Sequence, residues 1–332
     1  MIKAGLLGLG MIGKVHLSDG YEKLKDKISL EACFDISPDN FPASGNIRCY
    51  TDLDKFLKNE QGRLDYLDIC LPTFLHKEVA IKAMEMGFNV LCEKPMALSF
   101  EDTKEMYEVS LKTGKKLMIA HVLRFMDDYE IIKQVIEDEA LGKIRNVQFN
   151  DFRKGLPGGA NGWFKNSSLS GGPLLDVHIH DTDILMWYFG KPEFLSAIAP
   201  KISEDGYFDS MTALAYYKDG LIVDINCDFS LTNIKHNRGR SLRLIFENGY
   251  ILKNSDTFVM VDADGSETDL FSKRCEGFYD NLMYKKEIEY FADSIALDTP
   301  LSKCDPEESI YSTRFVFAEC ESAKACGAKI KL

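Results

Sequence analysis

The chain has 332 residues, 45% of them hydrophobic and 28% charged, and a formal net charge of −12. That length exceeds one simple core and suits two domains, while the acidic balance, without a dense Lys/Arg run, argues against nucleic acid or an anionic membrane as partner. Nine cysteines form no C-x-x-C pair and are scattered through apolar runs, the pattern of reduced thiols, so a cytoplasmic location without a disulfide framework is expected.

Residues 2–7 form a short apolar run suited to a strand buried on both faces. It leads into Gly8-Leu9-Gly10-Met11-Ile12-Gly13, a G-x-G-x-x-G pattern, and then into a helical continuation through Lys14, Val15, His16 and Leu17. Glycine interruptions make this N-terminus a strand and turn, not a leader peptide. Gly8 allows the tight turn, Gly10 lets backbone approach a pyrophosphate, and Gly13 lets helix and strand pack closely. A second strand over 28–34 ends in Asp35, about twenty residues past the last glycine, where such folds place the acid that binds a ribose. A carboxylate there accepts from a 2′-hydroxyl and repels a 2′-phosphate. Ile36-Ser37-Pro38-Asp39 brings no cation, so NAD is expected in preference to NADP.

Strands are predicted over 64–71, 89–92 and 116–120, with helices over 74–86 and from Ser99 to about Thr113 between them. Gly87 and Gly114 stop the helices, and Ser99 with Asp102 three positions on forms a capping box. This βαβ rhythm signals a parallel sheet covered on both faces. After residue 122 the pattern changes. An amphipathic helix over 127–139 precedes strands at 144–152, 209–217, 221–229, 242–247, 250–253 and 257–261, with a hairpin signal at Asn248-Gly249. Leu221, Val223, Ile225, Cys227 and Phe229 alternate with polar neighbours. These local strands imply an antiparallel sheet and a second, α+β domain, completed by helices near 278–296 and 306–325. The expected domains are 1–122 and 123–332.

Two stretches carry candidate chemistry. Glu93-Lys94-Pro95 directly follows a buried strand, and ligands of open α/β sheets bind outside the carboxyl ends of the strands. A solvated salt bridge at a strand end is the plain alternative, and Pro95 is a candidate for a cis bond. The second stretch is Gly171-Gly172-Pro173-Leu174-Leu175-Asp176-Val177-His178-Ile179-His180-Asp181-Thr182-Asp183. At about 100° per residue, Asp176, His180 and Asp183 share one narrow face of an otherwise apolar helix. Such a helix must be buried, so its polar stripe needs partners or a cavity. His178 points elsewhere and reads as a core residue. His180 beside Asp176 is the proton-transfer candidate, the carboxylate fixing the imidazole tautomer. A shared divalent ion is the rival reading, but no other His/Cys/Asp cluster offers further ligands, and no metal is expected. The irregular stretch 154–172 carries Trp163 and reads as a docking lid. His76, His121 and Arg124 follow or flank strand ends.

In this order the pieces resemble the glucose–fructose oxidoreductase and inositol dehydrogenase family (Gfo/Idh/MocA). The resemblance spans the chain and rests on GLGMIG, Leu71-Pro72-Thr73 with His76, Glu93-Lys94-Pro95 and GGPLLDVHIHDTD. It implies an α/β fold: an N-terminal Rossmann doubly wound parallel sheet plus a C-terminal α+β domain with a large, mostly antiparallel open sheet that forms dimers or tetramers. By resemblance Lys94, Asp176 and His180 are the catalytic lysine, aspartate and histidine. Gly8, Gly10, Met11, Ile12, Gly13, Asp35, Leu71, Pro72, Thr73, His76, Glu93 and Lys94 bind the nicotinamide cofactor, and His121, Arg124 and Trp163 serve substrate or lid. His178 and Pro173 depart from the family pattern. The expected reaction is hydride transfer between NAD and a sugar or cyclic polyol. An NAD-dependent glycoside hydrolase and a non-catalytic dinucleotide sensor are the alternatives.

Overall fold

Six parallel strands organise the first half of the chain: β1 (Ile2–Leu7), β2 (Ile28–Phe34), β3 (Arg48–Tyr50), β4 (Tyr66–Ile69), β5 (Asn89–Glu93) and β6 (Leu117–Ala120). They lie in the order β3-β2-β1-β4-β5-β6, so the direction of winding reverses between β1 and β4, the switch point of a doubly wound sheet. The structure is a computed structural model that describes residues 1–43, 46–154, 160–200, 207–231, 239–274 and 282–332. Strand β3 has no counterpart among the predicted strands; three residues are too few to show a period. Alternate residues of the central strands feed two cores. On one face Leu7, Leu67, Ile69, Val90 and Leu117 pack under α2 (Leu53–Glu60), α3 (Thr73–Glu85) and α4 (Phe100–Thr113). Ser99 caps α4 by accepting from the Asp102 N–H at 3.1 Å.

The other face buries Ala4, Leu6, Tyr66, Leu91 and Met118 against Tyr21, Phe125 and residues of α8 (Leu282–Ala296). Position in the chain predicts that this helix closes the second domain. It belongs to the first, because α1 (Met11–Val15) is short and the apolar stripe Ile288, Phe291 and Ala292 covers the sheet surface beside it. The compact units are accordingly 1–125 with 277–310, and 126–276 with 311–332.

The second unit is built on eight strands, β7 (Ile144–Lys154), β8 (Phe194–Ile198), β9 (Ser210–Tyr216), β10 (Ile222–Leu231), β11 (Gly239–Phe246), β12 (Gly249–Lys253), β13 (Phe258–Asp262) and β14 (Glu267–Asp269). Their order is β14-β13-β12-β11-β7-β10-β9-β8. All neighbours are antiparallel except the central pair β7 and β10, which is parallel. Leu221, Val223, Ile225, Cys227 and Phe229 are buried while the residues between them are not, as the alternation predicts. Helices α5 (Asp127–Glu137), α6 (Ser167–Ser170), α7 (Ile179–Phe189) and the part of α9 (Pro306–Lys324) from Tyr311 onward complete the unit. Among the described residues no helix is long and apolar enough to cross a membrane.

Candidate functional site

The glycines of the opening turn differ in what holds them. A Cβ on Gly8, whose φ is +91°, would meet the Cys70 carbonyl oxygen at 2.6 Å, and one on Gly13 would meet the Gly8 carbonyl oxygen at 1.9 Å. Both are demanded by the close passage of β1, α1 and the end of β4. A Cβ on Gly10 would meet nothing within 4 Å, so the chain itself gives no steric reason for a glycine there. The bare backbone at Gly10, next to the unpaired N–H groups that begin α1, fits the approach of a pyrophosphate. Met11 beside it is 70% exposed, and Ile12 is half-buried.

Asp35 follows β2 and is buried. Its Oδ2 accepts the Leu9 N–H at 2.7 Å, and its Oδ1 accepts the Ser37 N–H at 2.8 Å and the Asn40 amide at 3.1 Å. The carboxylate therefore braces the glycine turn, and an ionised carboxylate still has capacity to accept from a ribose hydroxyl. Lys14 donates to Asn40 Oδ1 at 3.0 Å, which brings a cation to the neighbourhood of Asp35 that the residues following Asp35 do not supply.

At the carboxyl ends of β4 and β5 lie Leu71-Pro72-Thr73 and Glu93-Lys94-Pro95. Leu71 and Pro72 are half-buried, Thr73 is buried in the first turn of α3, and Lys94 is half-buried. The Lys94–Pro95 bond is cis. His76, expected on the cofactor, is a brace instead: Nδ1 lies 2.9 Å from the Pro95 carbonyl oxygen and Nε2 lies 2.8 Å from that of Leu71. Burial lowers its pKa, against the pull of the two carbonyls, and the neutral ring donates to one of them while lying between the two loops. Arg124 also departs from expectation. It is fully buried, donating to the Lys303 carbonyl at 2.8 Å and to the Glu308 carboxylate, and so fastens a C-terminal segment to the first unit. His121 is buried just after β6.

His16, read from the sequence only as a continuation of the first helix, proves to be the hub of this unit. It opens a π-helical turn, His16–Gly20, and is fully buried. Nδ1 is 2.8 Å from Asp68 Oδ2, and Nε2 is 3.1 Å from Glu93 Oε1. Tyr21 donates to the same Asp68 oxygen at 2.9 Å, and Tyr66 donates to Tyr21 at 3.1 Å. Burial alone would favour a neutral ring; the Asp68 charge outweighs it and holds the His16 pKa well above its ordinary value. Burial likewise acts to raise the Glu93 carboxyl, but the His16 hydrogen bond and charge bring it below its usual range. His16, Asp68 and Cys70 bring ligand-type atoms together. They are bonded to one another, with the Cys70 thiol pushed up by burial, and the group reads as a hydrogen-bond network. The signal in the sequence is the two-residue period of β4, which puts Asp68 on the same face as Tyr66 and Cys70.

In the second unit the segment Leu174–His178 is π-helical and α7 continues from it. This wider turn alters the phase that a uniform α-helix would give Asp176 and His180. Asp176 is buried and His180 half-buried. Asp183 accepts from Ser312 of α9 at 3.1 Å. His178 is a core residue, but a charged one. Nδ1 is 2.9 Å from Asp181 and Nε2 is 3.1 Å from Glu319, and although burial opposes the charge, Glu319 and Asp181 push its pKa up to about 10. Asp181 also binds Arg240, which reaches Asp151 at 3.2 Å. Trp163 stacks on Phe164 at 4.0 Å within a 3-10 turn, Ala160–Lys165, so the stretch expected to be irregular is partly helical; residues 155–159 lie outside the described residues.

Comparison with known proteins follows this division. Residues 2–121 match the family model described as oxidoreductase family, NAD-binding Rossmann fold, and residues 129–252 match the GFO/IDH/MocA C-terminal domain. A D-glucoside 3-dehydrogenase of Escherichia coli is 30% identical over 62% of this chain and 59% of its own length. A D-xylose 1-dehydrogenase (NADP(+)) of Haloferax volcanii is 28% identical over 81% of each chain. The chain spans 55% and 41% of the length of two other curated relatives. Among solved structures, the WlbA dehydrogenase of Bordetella pertussis, in complex with NADH and UDP-GlcNAcA, superposes with a TM-score of 0.85 at 23% identity, covering 100% of this chain and 97% of that one.

Proposed function

The chain belongs to the Gfo/Idh/MocA oxidoreductase family, and we propose that it is a dehydrogenase using NAD in preference to NADP on a carbinol group of a sugar or cyclic polyol. The observation that carries this reading is the grouping at one end of the parallel sheet: open space at Gly10, the acid Asp35, and Lys94 after β5. The two relatives named as sugar dehydrogenases support the substrate class.

The nicotinamide cofactor supplies the hydride acceptor. Main-chain N–H groups at the start of α1 bind its pyrophosphate, Asp35 accepts from the adenosine ribose, and Leu71, Pro72, Thr73, Glu93 and Lys94 border the rest. His180 is the group assigned to take the proton of the substrate hydroxyl, and Lys94 the group assigned to stabilise developing negative charge. Asp176 orients the imidazole. An absorbance screen at the NADH band, with NAD and with NADP against aldoses and polyols, tests the assignment. Sugar-dependent NADH formation, faster with NAD, is expected. Cleavage of a glycoside without net NADH would make the chain a hydrolase, and NAD binding without any turnover would make it a sensor.

Self-association belongs to the eight-stranded sheet on this reading. Phe194, Tyr216, Ile222, Asn146, Ile245 and Tyr250 are successive register partners across it. Ile222, Ile245 and Tyr250 are exposed large apolar residues, a row that favours a second copy. Sedimentation equilibrium of Ile245→Lys, expected to shift toward monomer, checks it.

A further inference from the structure

One buried group outside the assigned cofactor and substrate residues is bonded directly to them. His16 places each ring nitrogen on a carboxylate, Asp68 at 2.8 Å and Glu93 at 3.1 Å. Both acceptors are carboxylate oxygens, so satisfying both requires a proton on each nitrogen, and the ring is an imidazolium. Asp68 alone would neutralise it; Asp68 lies within β4, and the oxygen that faces His16 also accepts from Tyr21. Glu93 differs. Its Oε1 accepts the His16 Nε2–H while its Oε2 accepts the Lys94 N–H at 3.1 Å. The carboxylate is thereby pinned between a buried cation and the backbone of the Glu93-Lys94-Pro95 turn.

We propose that His16 is a positioning residue for the cofactor site: its doubly donating ring fixes the Glu93 carboxylate, and with it the turn that presents Lys94. This inference rests on the assignment of Glu93 and Lys94 to the cofactor under the proposed function. A neutral ring has one N–H and serves only one of the two acids, so loss of the second proton releases Glu93. The groups that face the ring set when this happens. Asp68 and Glu93 favour the charged form, Cys70 sits 3.5 Å from Nδ1, and Tyr284 of α8 lies with its ring 5.7 Å from the His16 ring. Tyr21 and Tyr66 stand behind Asp68. Because the His16 pKa is raised, the hold on Glu93 is complete below the ordinary histidine range and is lost only as pH rises through the raised value.

The test compares wild type, His16→Phe, His16→Gln, Glu93→Gln and the His16→Phe/Glu93→Gln double variant, by NAD titration and by steady-state kinetics. The KM and Kd for NAD are expected to rise about tenfold in His16→Phe, the scale of one charge-assisted hydrogen bond, with the KM for sugar unchanged. The double variant is expected to bind NAD no worse than Glu93→Gln alone. A merely structural role would lower thermal stability while leaving the KM and Kd for NAD at wild type, and would make the two substitutions additive; that result overturns the proposal. Should His16→Phe fail to fold, His16→Gln, which retains one donor, and the pH profile of the wild type decide. NAD affinity must then weaken in the alkaline limb of the wild type but not of Glu93→Gln, and a pH-independent affinity overturns the proposal. If the wild type binds no NAD, the functional reading fails; if wild type and variants bind equally, only this inference does.

Discussion

Among the described residues each unit buries one histidine between two carboxylates, and the pair differ in where the second acid leads. His178 is held by Asp181 and Glu319, and Asp181 passes the charge to Arg240 and Asp151 inside the same core. That network runs on to Arg153 and to the Val177 carbonyl oxygen, all within the second unit. His16 is held by Asp68 and Glu93, and Glu93 ends a strand and grips the backbone of Lys94. The physics is the same in both: a buried imidazole is protonated because the charges beside it outweigh its lost hydration. The consequence differs. The His178 network is bonded within the second unit and contributes to that unit's stability, whereas the His16 network reaches the backbone of a turn assigned to ligand binding.

The sharpest division between chemistry and support comes from Lys94→Ala. Turnover is expected to fall by about a hundredfold to a thousandfold, the scale of removing a preorganised donor to a developing oxyanion, while NAD affinity changes little; single-turnover kinetics with a parallel NAD titration separates the two. His178→Leu makes the opposite prediction. Removing one partner of a buried ion pair costs about 3–5 kcal/mol, read as a lowered midpoint of thermal or urea unfolding, with the KM for NAD unmoved. The wild type adds a pH test of the same network. Since the His178 pKa is raised to about 10, its contribution is whole below its unfolded value of about 6.5 and disappears as pH climbs through the folded one. Unfolding free energy measured across that window is expected to decline, and to decline less in His178→Leu. Asp35→Ala is the smallest of these perturbations. It removes the acceptor of the Leu9 N–H as well as the ribose acid, so the KM for NAD is expected to rise roughly tenfold and the preference over NADP to narrow.

The elements legible in the sequence are those with a strong local period. The βαβ rhythm marks the parallel sheet, and the alternation of Leu221 to Phe229 marks β10, because a strand buried on one face writes its orientation into every second residue. Three-residue strands such as β3 and β14 are too short to do so. The parallel pairing of β7 with β10 and the docking of α8 on the first unit depend on residues distant in sequence, which periodicity does not report. At the site, the glycine turn and Glu93-Lys94-Pro95 are legible because each glycine or strand end carries its own mechanical reason. His16, His76 and Arg124 are not, since a polar residue's type does not say whether it faces a ligand or a buried partner. His76 and Arg124, both site candidates by sequence, brace the backbone. His16, which no sequence pattern marks, is joined to Glu93. In each case the deciding fact is which buried atom lies opposite, and that is a property of the fold.

The most direct trial of the cofactor assignment is calorimetric titration of NAD into wild type and Gly10→Val. At Gly10 φ is −70° and an added Cβ meets nothing within 4 Å, so the valine variant is expected to fold with an unchanged unfolding midpoint. Its side chain would nonetheless fill the space assigned to the pyrophosphate. Measurable NAD binding by the wild type, and its loss in the folded variant, is the predicted result; equal binding by both proteins would contradict it.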